Sequence, residues 1–259
     1  MRVAVCLSGQ LRNWELGWSN QKWFFNNQQG ANGAKFSVDY FAHTWNISQD
    51  RPKLSDPYSE RTVNKEEFDK FVESFEIKKA LYDSKHITEF QHSEHWGALF
   101  YSFANSIMLK REYELENNFT YDLVIKSRPD LVFDPSMYVN PMVYDDGTLY
   151  STHGGLMPSE FNMMNFNDCL FLANSRTMDK LINLFHYRMH KINIEVDNVH
   201  PMGPGVLMNE YFKDYGIYPK VGNLGFKETL LKEGCPRDVD MFDVKDFKRI
   251  NNYFMNWYR

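Results

Sequence analysis

Short apolar runs, each ending in small or polar residues and followed by a helical pattern, constrain this chain more than any other feature. Val3-Ala4-Val5-Cys6-Leu7 is apolar at every position and stops at Ser8-Gly9-Gln10. A run with no alternation suits a strand covered on both faces, as in a parallel sheet. The Ser-Gly pair breaks it into a loop. From about Leu11 to Asn27, Trp and Phe recur at roughly helical spacing. The same sequence of events repeats. Val38 to Trp45 reads as a second strand, and Lys65 to Phe75 as a helix with Asn64 as its cap and Glu66, Glu67 and Asp69 near its positive end. Lys78 to Tyr82 reads as a short third strand, and Glu94 to Asn117 as the longest helix, with a stripe that includes Ala98, Tyr101, Ile107, Met108 and Leu115.

Tyr121 to Ser127 is the next strand, stopped by Arg128-Pro129-Asp130, because Pro cannot donate to a central ladder. Ile47 to Ser59 is polar, contains Pro52 and Pro57, and reads as a loop. Pro135 to Asn165 reads as irregular with one strand, Thr148 to Ser151. Cys169 to Ala173 is a later strand. Ser175 is expected to cap a helix from about Thr177 to His190, and a further helix from Val206 to Tyr215 ends at Gly216. After Lys227 the pattern is mixed. Strands that alternate with helices predict an α/β fold with a largely parallel sheet flanked by helices. The 259 residues, with no linker or repeat, are expected to form one domain.

Composition excludes several function classes. A net charge of -5 with no long basic run lacks the electrostatic footprint of a nucleic-acid binder. Cys6, Cys169 and Cys235 are odd in number and widely spaced, which argues against a disulfide framework and a zinc site. His92-Ser93-Glu94-His95 lacks the spacing of a helical zinc motif. A reducing compartment fits the cysteines, and Val3 to Leu7 is too short for a signal-peptide core or a membrane span, so the expectation is a cytoplasmic protein. Aromatics reach 16%, which suits either a ring-rich core or an aromatic-lined cleft.

In open α/β sheets, ligands bind outside the carboxyl ends of the strands. Three predicted strand ends carry unusual polar residues. At the first, Ser8 and Gly9 permit close approach of a ligand to the backbone, Gln10 can meet a base edge or sugar, and Arg12 can fork onto a phosphate. The pattern is neither GxGxxG nor a P-loop. The second is His43-Thr44-Trp45. The third is Lys126-Ser127-Arg128-Pro129-Asp130, where Asp130 is either a ligand to a divalent cation bridging a pyrophosphate or the partner of Arg128 in an internal pair that holds the loop. Asp168, ahead of the Cys169 strand, is the candidate for taking a proton from an acceptor hydroxyl, or it caps a turn. His153-Gly154-Gly155 are candidates to line the same cleft.

These segments together resemble a group of GT-A-type glycosyltransferase-like proteins found in capsule and lipopolysaccharide clusters and in viral genomes. Val3 to Arg12 is similar to their opening strand and loop. Val38 to Trp45 is similar to a strand ending in a His-Thr-Trp-like triplet, and Tyr121 to Phe133 to a Tyr-Asp-x-Val-Ile-x-x-Arg-x-Asp-Leu segment. Asn167 to Met178 is similar to an Asp-x-x-Phe-x-x-Asn-Ser-x-x-Met segment, and Pro204 to Ile217 to a helix near the C-terminus. The resemblance runs from residue 1 to about 220, and it implies a single GT-A-like domain over 1–259 with its nucleotide-binding half at 1–134 and its acceptor-side half at 135–259. It implies a glycosyltransferase of polysaccharide biosynthesis that takes a nucleoside-diphosphate sugar and a glycan or other hydroxyl acceptor, with or without Mn²⁺ or Mg²⁺. Ser8, Gly9, Gln10, Arg12, His43 and Trp45 would then contact the nucleotide. Arg128 and Asp130 would hold the diphosphate, Asp130 with any metal, and Asp168 and Arg128 would be catalytic. Where the Asp-x-Asp motif of GT-A enzymes has its first carboxylate, this chain has Arg128. Where some members carry an acidic residue after the Pro of the C-terminal helix, it has Gly205. Two other functions remain open: a sugar nucleotidyltransferase, and a non-catalytic carbohydrate-binding protein on a degenerate transferase scaffold.

Overall fold

The computed structural model describes residues 1–30, 33–50, 59–84, 94–139, 145–151, 169–187, 203–221, 228–230, 240 and 242–257. In chain order the elements begin β1 (Arg2–Ser8), α1 (Trp14–Asn26), β2 (Ser37–Trp45), β3 (Ile47–Asp50), β4 (Ser59–Thr62), α2 (Lys65–Phe75) and β5 (Lys79–Asp83). They continue with α3 (Glu94–Asn117), β6 (Leu123–Ser127), β7 (Leu131–Phe133), β8 (Thr148–Ser151), β9 (Phe171–Ala173) and α4 (Ser175–Lys180). The last are α5 (Gly203–Asp214), β10 (Tyr218–Val221), β11 (Glu228–Leu230) and α6 (Val244–Trp257).

The class is α/β, as expected. A seven-stranded sheet runs β10-β8-β9-β6-β1-β2-β5. β1 is parallel to β2 and β6, β2 to β5, and β8 to β10, whereas β9 is antiparallel to both its neighbours. The chain steps outward from β1 to β2 and β5, then returns to place β6 on the other side of β1. That reversal makes the β1/β6 boundary a topological switch point, and both strands open their carboxyl ends there.

Pleating sorts the core into two layers. Val3, Val5 and Leu7 of β1 pack with Trp14, Phe24 and Phe25 of α1 and Phe68, Phe71 and Phe75 of α2. Ala4 and Cys6, pointing the other way, pack with Phe100, Phe103 and Ile107 of α3 and with Met178, Met208 and Tyr211. The lack of alternation in the Val3 to Leu7 run therefore reflects burial on both faces, and Cys6 is a wholly buried core residue. Asn64 caps α2 by accepting from the Glu67 N–H at 2.8 Å, as expected.

Four expectations are corrected. The predicted loop from Ile47 contains β3, which pairs antiparallel with β4, because Ile47 is buried and fixes the register. The cap of α4 is Asn174, whose side chain accepts from the Thr177 N–H at 2.8 Å. Ser175 instead turns inward to Glu114. In α3, Met108 and Leu115 lie off the buried stripe, Leu115 at 73% exposure. The mixed tail supplies β11, which pairs with β7, and the amphipathic α6, which buries Phe247 and Ile250. No described helix is long and apolar enough to cross a membrane.

Candidate functional site

The carboxyl ends of β1, β2 and β6 bring Ser8, His43 and Ser127 to one edge. Ser8 lies opposite His43 and Leu7 opposite Ser127 in the ladders. Gly9 follows with φ at +120°, a conformation that side chains rarely adopt, and a Cβ built there would meet nothing within 4 Å. Space therefore lies over this backbone, as the Ser-Gly loop suggested.

Two kinds of chemistry meet at this edge. The first is cationic. Arg128 grips Asp130 through a fork, Nε to Oδ1 at 2.8 Å and Nη2 to Oδ2 at 2.7 Å. Arg12 Nε stands 3.5 Å from the same Oδ2. The Asp130 side chain is 1% exposed, whereas those of Arg128 and Arg12 are 12% and 16% exposed. The carboxylate is thus the more deeply buried partner of the cluster. Among the described residues, two cations meet one anion here. Both Asp130 carboxylate oxygens face guanidiniums, which is the internal pair that the sequence offered as one of two readings.

The second kind is neutral and aromatic. His43 is buried under α3, with Nδ1 2.9 Å from the Ser102 hydroxyl. Ser102 also donates to the His43 carbonyl at 3.1 Å and accepts from the Gly9 N–H at 2.8 Å. Trp45 and Tyr101 meet the imidazole edge-on at 5.0 and 5.4 Å. Burial lowers the His43 pKa to about 4, against a smaller opposing pull from Asp83, so the ring is neutral at physiological pH. Ser8 Oγ, His43 Nε2, Thr44 Oγ1 and Asn46 Oδ1 are all buried without a hydrogen-bond partner among the described residues. Buried polar atoms are nearly always paired, so a group of them at the ends of two neighbouring strands calls for a water or a ligand.

The surroundings hold this edge rigid. Gln21 of α1, wholly buried, donates from Nε2 to the carbonyls of Arg128, Pro129 and Leu131 at 3.0, 3.1 and 2.8 Å. Asn20 clamps Phe133 as a neighbouring strand would, donating to its carbonyl at 3.0 Å and accepting from its N–H at 2.8 Å. β3 lies over the first loop. The Gln49 N–H donates to Gln10 Oε1 at 2.8 Å, and Arg12 Nη1 donates to the Gln49 carbonyl at 3.1 Å. Gln10 therefore commits its amide oxygen to tying the loop to β3.

Ser8, Gly9, Gln10, Arg12, His43, Trp45, Arg128 and Asp130 thus converge on one edge. Asp168 lies outside the described residues, as do His153-Gly154-Gly155. Asn20, Gln21, Gln49 and Ser102 were not singled out from sequence, and Tyr101 was read only as part of the apolar stripe of its helix. The clearest available signal was the polar pair Asn20-Gln21 within a helix otherwise rich in Trp and Phe. A cavity of about 430 Å³ opens elsewhere, by the C-terminal end of α3, lined by Arg111, Glu114, Asn118, Arg176 and Asp179 among others. Its acids are already engaged: Lys110 donates to Glu114 at 2.9 Å and to Asp179 at 2.6 Å.

No family model and no curated protein matches the chain. Among solved structures it is similar to the glycosyltransferase GlyE of Streptococcus pneumoniae TIGR4, at 13% identity and a TM-score of 0.38 over 85% of this chain and 45% of GlyE. The chain thus spans less than half the length of GlyE. It is also similar to the nucleoside-diphosphate-sugar pyrophosphorylase from Vibrio cholerae RC9, at 11% identity and a TM-score of 0.37 over 98% of both chains. Likenesses this weak carry no argument about function. The fold stands on its own strand order and register, and the site on its own geometry.

Proposed function

We propose that the β1/β2/β6 edge binds the nucleoside-diphosphate sugar of a glycosyltransferase. The observation that carries this reading is the division of one strand edge into two halves. The β1/β2 half offers buried neutral polar atoms beside aromatic rings, at Ser8, His43, Trp45 and Tyr101. The β6 half offers Arg12 and Arg128 over Asp130. A nucleoside is flat, uncharged and rich in hydrogen-bonding groups, and a diphosphate is a compact anion. With neighbouring strands roughly 5 Å apart, β2 and β6 are separated by roughly 10 Å, a span that suits a nucleoside followed by its diphosphate.

The chemistry follows from that placement. The bond between the sugar's anomeric carbon and the diphosphate oxygen breaks, and its electron pair leaves with the diphosphate. The acceptor oxygen bonds to the anomeric carbon and its proton passes to a base, for which Asp168 is the sequence-based candidate. Arg128 and Arg12 stabilise charge where it develops, on the departing diphosphate. Asp130 and Gln21 hold Arg128 in place before the donor arrives, which lowers the cost of reorganisation.

The test is a thermal-shift screen of the full chain against UDP, GDP, CMP, dTDP and ADP with Mn²⁺ and Mg²⁺ supplied. A ligand that binds only the folded state raises the melting temperature. One nucleotide is expected to do so, with the shift lost in Arg128→Ala, and the corresponding nucleotide sugar should release that free nucleotide in the presence of enzyme and acceptor. The donor-site assignment fails if no nucleotide at millimolar concentration moves the melting temperature. Binding without any release of the nucleotide from its sugar would favour a carbohydrate-binding or regulatory role on the same scaffold.

A further inference from the structure

We infer that the opposite edge of the sheet carries a second binding site, for a neutral glycan chain: one saccharide unit occupies the cavity of about 430 Å³ at the C-terminal end of α3, and the chain continues over Tyr218 and Tyr215. The site is independent of the donor-site reading in both place and ligand. Ser102 at the donor edge and Glu114 at the cavity belong to one helix, roughly 18 Å apart at a rise of 1.5 Å per residue. Glu114 accepts from the Tyr121 N–H at 2.7 Å, just ahead of β6, which puts the cavity at the amino end of that strand.

Charge at the cavity is balanced. Among the described residues, its ion pairs set Lys110, Arg111 and Arg176 against Glu114, Asp179 and Asp146. An anion would face two carboxylates in the wall, and a cation would face two arginines, whereas a neutral ligand meets neither repulsion. The wall still has hydrogen-bonding capacity of both kinds. Asp179 gives Oδ1 to Lys110 at 2.6 Å, while its Oδ2 has Arg111 Nε at 3.9 Å, beyond hydrogen-bond reach. The exposed side chains of Asn118 and Thr120 line the same wall and make no hydrogen bond among the described residues. Exposed Leu115 and half-buried Phe119 add apolar surface. A wholly apolar ligand would strip water from Arg111 and Asp179 Oδ2 without replacing it. A saccharide unit matches the set: it is uncharged, each hydroxyl both donates and accepts, and its C–H faces are apolar.

The wall leads on to two exposed tyrosines. Arg176, which lines the cavity, donates from Nη1 to Asp146 Oδ2 at 3.0 Å, and the next residue, Gly147, donates its N–H to Thr177 at 2.7 Å. The Tyr218 ring lies against Gly147, where a Cβ would come within 3.6 Å of Tyr218 Cδ2. Tyr218 is 70% exposed, and Tyr215, at 38%, is backed by buried Tyr211 in a stacked pair with centroids 4.2 Å apart. β10 is parallel to β8, and β9 is antiparallel to both β8 and β6, so the start of β10 lies at the same end of the sheet as the start of β6. Tyrosine rings give a sugar a large apolar face at low entropic cost, with a hydroxyl at the tip. β10 is an edge strand, yet Pro219 and Lys220 within it disfavour pairing with a strand of another chain. A glycan needs no ladder, so this edge discourages a strand and admits a glycan.

Saturation-transfer NMR and isothermal titration test this on the full chain. The probes are hexasaccharides of glucose, galactose, mannose and N-acetylglucosamine, the four monosaccharides, and inorganic phosphate as the anionic comparison. Wild type, Arg111→Ala, Asn118→Gly, Tyr218→Ala and Arg128→Ala are compared, with folding checked by circular dichroism. Arg111, Asn118 and Tyr218 are exposed, and glycine accepts the φ of +53° at residue 118, so these variants should fold. The expected result is one hexasaccharide that binds at millimolar concentration or below, and about tenfold more weakly to Arg111→Ala. Asn118→Gly should weaken it as well. Tyr218→Ala should weaken the hexasaccharide and leave its monosaccharide unchanged, and Arg128→Ala should change neither. Failure of every neutral sugar to bind overturns the inference. Binding that neither Arg111→Ala nor Tyr218→Ala weakens also overturns it, because the glycan would then sit elsewhere. Inorganic phosphate that binds where the sugars do not, and is lost in Arg111→Ala, overturns it in favour of an anion site. Nucleotide binding at the donor edge is read separately by the thermal-shift screen, so neither assignment falls with the other.

Discussion

Replacing Gln21 by Met isolates the part of the structure that places Arg128. Methionine keeps the length and approximate volume of the side chain, so little cavity or overpacking cost is expected. What is lost is the amide that donates to the carbonyls of Arg128, Pro129 and Leu131 at 2.8–3.1 Å. The side chain is wholly buried, so water does not substitute without rearrangement. Each buried polar group left unpaired costs about 1–3 kcal/mol, and two N–H groups serve three oxygens, so roughly 2–4 kcal/mol of stability should disappear. For a chain of this size that is a fall in melting temperature of roughly 5–15 °C. Urea titration followed by circular dichroism measures the free energy, with an unchanged m-value expected if only the native state is affected. The same variant should bind diphosphate more weakly, because the turn that carries Arg128 loses its anchor. In an Arg128→Ala background that second loss should vanish, since the two residues act on one interaction. A stability change below about 0.5 kcal/mol, the size of an ordinary surface substitution, would refute the reasoning. It would mean that α1 does not hold the 128–130 turn.

Three further outcomes follow from the geometry. His43 has a folded-state pKa near 4, against about 6.5 when unfolded. Its contribution is therefore complete above pH 6.5 and is lost as pH falls toward 4, by about 3 kcal/mol in total; urea midpoints across that window should show a slope that His43→Gln reduces, and an identical slope in the variant would refute the assignment. Lys110→Met removes a wholly buried cation from between Glu114 and Asp179 and should cost about 3–5 kcal/mol by chemical denaturation, while diphosphate affinity stays within about twofold in the variant that remains folded, because neither acid belongs to the donor edge. Gly9→Ala places a side chain at φ +120° and should cost about 1–3 kcal/mol from backbone strain, since its Cβ meets open space; a neutral result by the same titration would show that the loop relaxes to another conformation.

The strands of the central sheet were legible because they are buried on both faces. Val3 to Leu7 and Leu123 to Ile125 have apolar residues at every position, and the structure covers one side with α1 and α2 and the other with α3 and α4. Their boundaries were legible where chemistry enforces them: Asn64 at the start of α2, Pro129 after β6, Gly216 after α5. β3 and β4 were not legible, since Ser59 to Thr62 is exposed throughout and its pairing with Ile47 to Asp50 leaves no apolar pattern. α6 was missed because its polar residues outnumber the buried Phe247 and Ile250. The antiparallel sense of β9 left no trace either, as a short buried strand is apolar whichever way it runs.

The candidate site divides along the same line. Residues that sit on strand ends were legible from position alone, since the ends of β1, β2 and β6 are where an α/β sheet opens. Arg128 and Asp130 were singled out as a polar interruption between two apolar runs, with the pair and the metal site both open, and the structure shows the fork at 2.7–2.8 Å. The residues that hold them came from helices, where sequence offers less. Ser102 lies between Tyr101 and Phe103, and nothing in that spacing says that its hydroxyl reaches the Gly9 N–H and His43. Asn20 and Gln21 differ: they follow Trp18 and precede Trp23, Phe24 and Phe25, and a helix with so many rings has little room for a polar face. Two adjacent amides on such a helix can only be tolerated inside if they meet backbone that has no ladder partner of its own. The backbone in question had to be a segment ending a central strand and unable to continue it. Arg128-Pro129-Asp130 is such a segment, so the Pro that ends β6 and the Gln21 amide of α1 are two halves of one constraint, visible in sequence only when taken together, while Asn20 meets the backbone of Phe133 in β7.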